Sequence, residues 1–553
     1  MDVRLLVALA ALCFLLIRVI SIGMRRPKMP PGGEKGPPTL PVIGNLHQIP
    51  KKDIHLQHQK WAQEYGPIFS LKLGTQDVVV LASGEMIKRL VDKRSGNYAD
   101  RPSLFMQDIF EHSRIIMRGY DDLWKVERKL YHQFLNSTKA ARYTPYQDLE
   151  TKQLCFDLLH RPQAFEGLIT RTTLSAATSM AYGFRVTDPN NPIMKELLHN
   201  AHGFFTMVHK SQLLDWYPQL RPIVRWLPSF LYPMYRDAKE IFRREKAQFH
   251  QLLNDTRKKM AYENSLPSFA SDIVRAQESW KGKQEGAILT DHAAAYIAGI
   301  AMEGATDTQS NQLAGFIKAM MLYPEVQKQA HTQLDDVVGS DCLPEPSDLD
   351  HLPYIRQIMK EVVRWMPTAV TGAIPHAARA QDEIDGYVIP QGATILLAVW
   401  AANNDPALFP NPRVFDPSRQ NPSLSMGEAA LAPDIRDRDH WTFGAGRRIC
   451  PGIHVAEGTL LLSMARILWA FDISKAKDAQ GREIHVDQDE LTQSIAARPL
   501  PFKSMKRGYP ADGVRYRCDI RVRSDKHAEV VRKAWDGAQH VLDEAGNYKM
   551  NVL

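Results

Sequence analysis

The chain of 553 residues carries Phe443-Gly-Ala-Gly446-Arg-Arg448-Ile-Cys450-Pro-Gly452 near its C-terminal end, one cysteine in a glycine-flanked, arginine-bearing loop. This pattern suits a thiolate whose sulfur approaches a large planar ligand. Gly446 and Gly452 permit close backbone approach and unusual dihedrals. Main-chain N–H groups of the turn can hydrogen-bond the sulfur and tune it, and Arg448 offers a planar fork suited to a carboxylate. Three more clusters have spacings that matter. Glu361 and Arg364 lie at i,i+3 and can pair on one helical face, and Trp124 and Arg128 share a face at i,i+4. Glu303-Gly-Ala-Thr-Asp307-Thr308-Gln309 sits inside an apolar helical run, where Gly, Thr and Asp all weaken a helix. A local hydroxyl competing for backbone hydrogen bonds is a physical reason to place them there.

The spacing F-x-x-G-x-R-x-C-x-G is that of the cytochrome P450 superfamily, which this chain resembles over roughly residues 30–502. The resemblance implies haem b, with Cys450 as the axial thiolate that pushes electron density toward O–O cleavage and Phe443, Gly446 and Gly452 shaping its loop. Trp124, Arg128, His376 and Arg448 fall where members of the family hold the haem propionates. Glu361, Arg364 and Arg419 match a buried network that braces the cysteine loop, although Gln420 stands where an aromatic is more usual. Asp307 and Thr308 match the acid and the alcohol that deliver protons during oxygen activation. Ala305 replaces the usual glycine at a helix kink, and Gln309 replaces a second hydroxyl residue.

The reaction so implied inserts one atom of O₂ into a lipophilic small molecule, by hydroxylation, epoxidation or multistep oxidation. Its electrons come from NADPH through an NADPH–cytochrome P450 reductase, with cytochrome b5 left open as an accessory donor. The sequence is similar to filamentous-fungal microsomal members that oxidise polyketides, phenols and terpenoids in secondary metabolism. Two rivals stand beside this reading: a haem-thiolate isomerase that needs no O₂, and a non-catalytic haem-binding membrane protein. Asp307 and Thr308 weigh against both.

The elements that must position these residues are expected to be mostly α with small β-sheets, in a single large haem-binding domain of the P450 fold behind an N-terminal anchor. Residues 5–22 are apolar except for Arg18 and Ser21, near the shortest length that spans a bilayer. Arg25, Arg26 and Lys28 follow and put the downstream chain on the cytosolic face, here of the endoplasmic reticulum. A cleaved secretory signal is the competing reading, but no A-x-A-like site follows. The expected divisions are an anchor over 1–24, a basic and proline-rich hinge over 25–50, the catalytic domain over 51–502 and a C-terminal extension over 503–553. Strands are expected at 68–73, 77–81, 387–389 and 394–399, a long helix over 290–322 and a terminal amphipathic helix over 524–535. Five scattered cysteines and 19 histidines form no zinc spacing. The net charge of +7, with no Lys/Arg run, gives no sign of a nucleic-acid partner. No nicotinamide or flavin motif is present either, so electrons must come from another protein.

Overall fold

A computed structural model describes residues 36–549, apart from 229, 262–265, 493–495 and 499–517, together with residues 13, 14, 17, 18 and 21. Most of the expected anchor and the first part of the hinge lie outside the described residues, as does the first part of the expected C-terminal extension.

The described chain is built mainly from helices. In order, the elements used below are α1 (Ile54–Tyr65), β1 (Ile68–Leu73), β2 (Gln76–Leu81), α2 (Asp122–Leu135), α3 (Thr144–His160), α4 (Phe165–Tyr182), α5 (Pro192–Lys210) and α6 (Pro233–Met260). They are followed by α7 (Asp291–Leu322), α8 (Pro353–Trp365), β3 (His376–Ala377), β4 (Asp382–Ile384), β5 (Tyr387–Ile389) and β6 (Thr394–Leu397). The chain ends in α9 (Ile453–Ala470), β7 (Phe471–Lys475), β8 (Cys518–Val522) and α10 (Asp525–Ala538).

Helix α7 is the axis of the molecule. The Thr290 side chain caps it by accepting from the Ala293 N–H, Asp291 complements the dipole of its first turn, and Tyr323-Pro324 ends it. Its alanine-rich first half is small enough for close packing: Ala294, Ala295 and Ala298 are fully buried, and a Cβ on Gly299 would sit 2.4 Å from the Phe249 ring of α6. It runs against α4, α6 and α9. Helix α9 is the only described helix long and apolar enough to cross a membrane, and it lies in the core beneath α7.

One sheet orders its strands β1-β2-β6-β3, with β1/β2 an antiparallel hairpin, β2 and β6 parallel, and β3 antiparallel to β6. The neighbouring strands β5 and β6 belong to different sheets, because β5 turns back on β4 through Asp385-Gly386, both at positive φ. Such an Asp-Gly pair is the preferred type I′ hairpin turn.

Two expected divisions differ from the structure. The proline-rich stretch stops being a connector at Gly36, well before residue 50. Asn45 Nδ2 donates to the Pro37 carbonyl at 3.0 Å, and its Oδ1 accepts from the Lys72 N–H at 2.7 Å. Glycine permits this docking: a Cβ on Gly44, at φ +58°, would fall 2.0 Å from the Lys72 carbonyl.

The C-terminal segment, in turn, is part of the core. Strand β8 pairs with β7, and α10 packs on α3. Beyond it, the buried Tyr548 donates to Ser179 Oγ at 3.0 Å, and Arg185 Nη1 reaches the Gly546 carbonyl at 2.8 Å. Tyr548→Ala should lower unfolding stability by about 3 kcal/mol, and Tyr548→Phe by about 1 kcal/mol for the lost hydrogen bond. Urea titration of the two variants checks the order.

Candidate active site

The cysteine loop is assembled from outside inwards. Gly446 adopts φ +59°, and a Cβ there would strike the Val91 carbonyl at 2.0 Å, so only glycine fits. Its N–H donates to Asp92 Oδ1 at 2.6 Å, while Arg438 Nη1 holds Asp92 Oδ2 at 3.0 Å and Nη2 reaches the Gly444 carbonyl. The Cys450 N–H donates to the Phe443 carbonyl at 2.9 Å and closes the loop. Gly452 has an ordinary φ of −90°, and its added Cβ would meet the sulfur at 3.9 Å, so its part is not an unusual dihedral.

Cys450 is half-buried, and burial pushes its thiol up; the Gly452 N–H and the Arg128 charge pull it back. The sulfur also lies just before the N-terminus of the 18-residue α9, where the helix dipole favours an anion.

The brace under this loop centres on Glu361, in α8 and fully buried. Its carboxylate accepts from Arg364 Nε at 2.8 Å and Nη2 at 2.7 Å and from the Asp416 N–H at 3.1 Å, and Arg419 Nε stands 3.2 Å away. Gln420, the departure from the usual aromatic, donates its Nε2 to the same carboxylate at 2.7 Å. Arg364 then reaches the Asn403 carbonyl at 2.7 Å. Asn403 in turn accepts from the Trp441 N–H at 2.8 Å and donates to Thr442 Oγ1 at 3.1 Å, directly before Phe443.

A second group of residues is basic and has no carboxylate hydrogen-bond partner among the described residues. Arg448 donates to the carbonyls of Ala99, Ile115 and Arg118, and its guanidinium lies 4.4 Å over the Trp124 ring. Burial, with the Arg128 charge beside it, holds it down at about 10. Arg128, on α2 with Trp124, is also held below its ordinary value by burial. His376 Nδ1 contacts the Tyr98 carbonyl at 2.7 Å, and burial beside Arg101 and Arg448 keeps the ring neutral.

Arg101, which sequence reasoning missed, belongs here. It spends Nη1 on the Ile374 and Pro375 carbonyls, its buried Nε has no hydrogen-bond partner among the described residues, and burial beside Arg448 holds it far below the arginine range. Buried cations without counter-charges are costly. Two carboxylates delivered by a ligand would relieve all four groups, and a carboxylate at His376 Nε2 would favour its protonated ring.

Further site residues lie on α7. In the middle of this mostly buried helix Gly304 and Thr308 are exposed, and a Cβ on Gly304 would point into open space. One turn apart, they form an exposed strip flanked by the half-buried Ala301 and Ala305, which pack against the apolar cluster of Phe105, Phe110 and Met117. Thr308 Oγ1 donates to the Gly304 carbonyl at 2.7 Å and Thr306 Oγ1 to that of Met302 at 2.9 Å. These hydroxyls add to the ladder without replacing it, so α7 stays helical through the expected kink. Asp307 points to another face, toward α5 and α6, where burial and the Glu303 carboxylate raise its pKa while His202 and Arg498 lower it. Gln309 is buried.

A thiol at a helix N-terminus, one carboxylate-seeking cluster of Arg101, Arg128, Arg448 and His376, and an exposed helix strip fit a haem with its propionates. The family model for Cytochrome P450 matches residues 35–502. The chain belongs to the cytochrome P450 family. It is 38% identical over 547 residues to cytochrome P450 monooxygenase virE of Hypocrea virens, covering 98% of this chain and 94% of the relative. It is 39% identical over 542 residues to cytochrome P450 monooxygenase fogE of Aspergillus ruber, covering 97% and 95%. Among solved structures, a zebra fish cytochrome P450 with Abiraterone superposes with a TM-score of 0.63 at 21% identity, over 85% of this chain and all of that one, and shares the fold. The protein is thus a P450 monooxygenase whose cofactor is haem b.

If Arg101 shares in holding a carboxylate, Arg101→Leu should weaken haem retention by roughly tenfold, the equivalent of one lost charge-assisted hydrogen bond of about 1.5 kcal/mol. Haem transfer to apomyoglobin measures it. Arg436→Leu, which removes an exposed arginine paired with its neighbour Asp434, should leave retention unchanged.

Proposed function

We propose that this monooxygenase hydroxylates a lipophilic phenolic, polyketide or terpenoid intermediate of fungal secondary metabolism, with epoxidation or multistep oxidation open to the same site. In this reading it takes its electrons from NADPH through a cytochrome P450 reductase. The observation that carries it is the exposed strip at Gly304 and Thr308 on a helix that packs beside an apolar cluster. Phe105, Phe110 and Met117, and the half-buried Ile115 and Ile116, line the segment that precedes α2.

Bound haem would supply oxygen activation; the chain's own groups do the rest. Cys450 would ligate the iron, with its negative charge eased by the Gly452 N–H. Trp124, Arg128, His376 and Arg448 would hold the propionates, with Arg101 behind them. Phe443 and Gly446 shape the loop. Thr308 presents a hydroxyl to the cleft, where it can pass a proton, and Asp307 on the neighbouring face would supply that proton. Glu361, Arg364 and Arg419 keep the loop in place.

Membrane attachment is part of this proposal. Trp226 and Phe230 expose 90% and 78% of their surface, and Leu213, Ile223, Leu227 and Leu231 around them are also exposed. Leu40 and Ile43, just after the N-terminal segment, are exposed apolar residues as well. A soluble monomer rarely leaves such side chains together in water, and a bilayer would bury them with the catalytic domain in the cytosol, at the endoplasmic reticulum.

Supplied with a reductase, NADPH and ¹⁸O₂, the protein should place one labelled atom in a phenolic, polyketide or terpenoid product. Absence of label from every such product while substrate is converted would point to the isomerase reading. Thr308→Ala should cut product by roughly 10²-fold, as expected for loss of a general-acid path, while NADPH consumption continues. Unchanged coupling of NADPH to product would remove Thr308 from the relay.

A further inference from the structure

Helix α7 has a second compartment behind it. Opposite the face that carries Gly304 and Thr308, it encloses with α4, α5 and α6 a water-sized cavity of about 20 Å³ lined by Asn200, Gln248, Glu303, Thr306 and Asp307 among others. That space suits about one water molecule. Asn200 is buried and donates Nδ2 to Gln248 Oε1 at 2.9 Å, yet its Oδ1 has no hydrogen-bond partner among the described residues. A buried carbonyl oxygen in that state costs about 1–3 kcal/mol unless a water meets it.

The two flanks of the cavity differ. On one, Arg114 is buried with Nε 3.2 Å from Glu245 and Nη1 3.1 Å from Glu303, and it stacks 3.7 Å over the Phe204 ring. Both of those carboxylates are committed to one guanidinium. Outside the cavity lining, on the solvent side of Asp307, stands His202 of α5, with 60% of its side chain in solvent and Nε2 3.8 Å from Asp307 Oδ2. That distance is too long for a direct hydrogen bond and suits an ion pair or a single bridging water. Asp307 is therefore a cavity carboxylate whose neighbouring imidazole is itself in contact with solvent.

We propose that His202 is the port through which Asp307 exchanges protons with bulk water, by way of one water bridging the two side chains, and that its charge sets how readily Asp307 gives up its proton. The inference rests on Asp307 as the acid of the oxygenation. In the step, the imidazolium N–H bond breaks and the bridging water relays the proton to the carboxylate. There an O–H bond forms, and solvent reprotonates the ring; no electrons move.

The groups facing Asp307 are His202 from α5, Glu303 from α7 with Glu245 and Arg114 behind it, and Arg498 from the segment near residue 497. Burial and Glu303 raise the carboxyl, while His202 and Arg498 lower it. Loss of the imidazolium therefore raises it further.

The test is infrared titration of the haem-loaded full chain, following the carbonyl stretch of protonated Asp307, assigned by its loss in Asp307→Asn. His202→Gln should move the midpoint up by about one pH unit, tenfold in proton affinity, and slow hydrogen–deuterium exchange of that carboxyl at least comparably. His202→Lys keeps a cation and should hold the midpoint at or below the wild-type position. An unmoved midpoint and unchanged exchange in His202→Gln would overturn the proposal. A moved midpoint with oxygenation indifferent to Asp307→Asn would instead overturn the acid role on which it rests. His202 is a surface residue, so the variants should fold.

Discussion

One fully buried carboxylate holds the site together from a distance. Glu361 gathers Arg364, Gln420 and the Asp416 N–H as hydrogen-bond donors, with Arg419 alongside. An ion buried so deeply is tolerable only when its lone pairs are met, and removing one partner of such a pair costs about 3–5 kcal/mol. The satisfied carboxylate fixes Arg364, Arg364 fixes Asn403, and Asn403 fixes the backbone at Trp441 and Thr442. The cysteine loop begins one residue later. The thiol is thus placed by a chain of hydrogen bonds that starts on α8, together with the loop's own Gly446.

The remaining site is shaped by charges that the protein alone leaves unbalanced. Arg101, Arg128 and Arg448 are half-buried with carbonyls, an aromatic ring or a sulfur beside them, and His376 is buried and kept neutral among them. A carboxylate-bearing ligand converts that strain into binding, because each charge it meets has already been removed from water. Burial that pushes the Cys450 thiol up has the same character: a metal cation at the sulfur stabilises the thiolate that the apolar setting opposes. Stability of the site and occupancy by haem are, on this account, a single equilibrium.

Much of this was legible in the sequence. The cysteine loop could be read because its residues are neighbours in the chain, and the long helix because its apolar run, Thr290 cap and terminal Tyr-Pro are all local signals. What escaped depends on contacts between distant segments. Gln420 registered only as an oddity, since its meeting with Glu361 is made by the fold. Arg101 is an ordinary Arg-Pro in sequence and becomes part of a cationic cluster only where the segment after β2 meets the cysteine loop. His202 is one of 19 histidines with nothing in its spacing to mark it. The split of β5 from β6 was signalled by Asp385-Gly386, a hairpin turn that a reading by apolar runs passes over. The C-terminal segment looked detached because the evidence that binds it, Tyr548 against Ser179 and Gly546 against Arg185, spans more than 350 positions.

The central claim is that Cys450, so placed, is the iron ligand. The reduced protein's difference spectrum with carbon monoxide tests it most directly, on the wild type and on Cys450→Ser. The account predicts a red-shifted, thiolate-type Soret band in the wild type that vanishes in the variant while Arg448 and Arg128 still retain some haem. A histidine-type band in freshly prepared wild-type protein with full haem occupancy, or a thiolate-type band that survives Cys450→Ser, would contradict it.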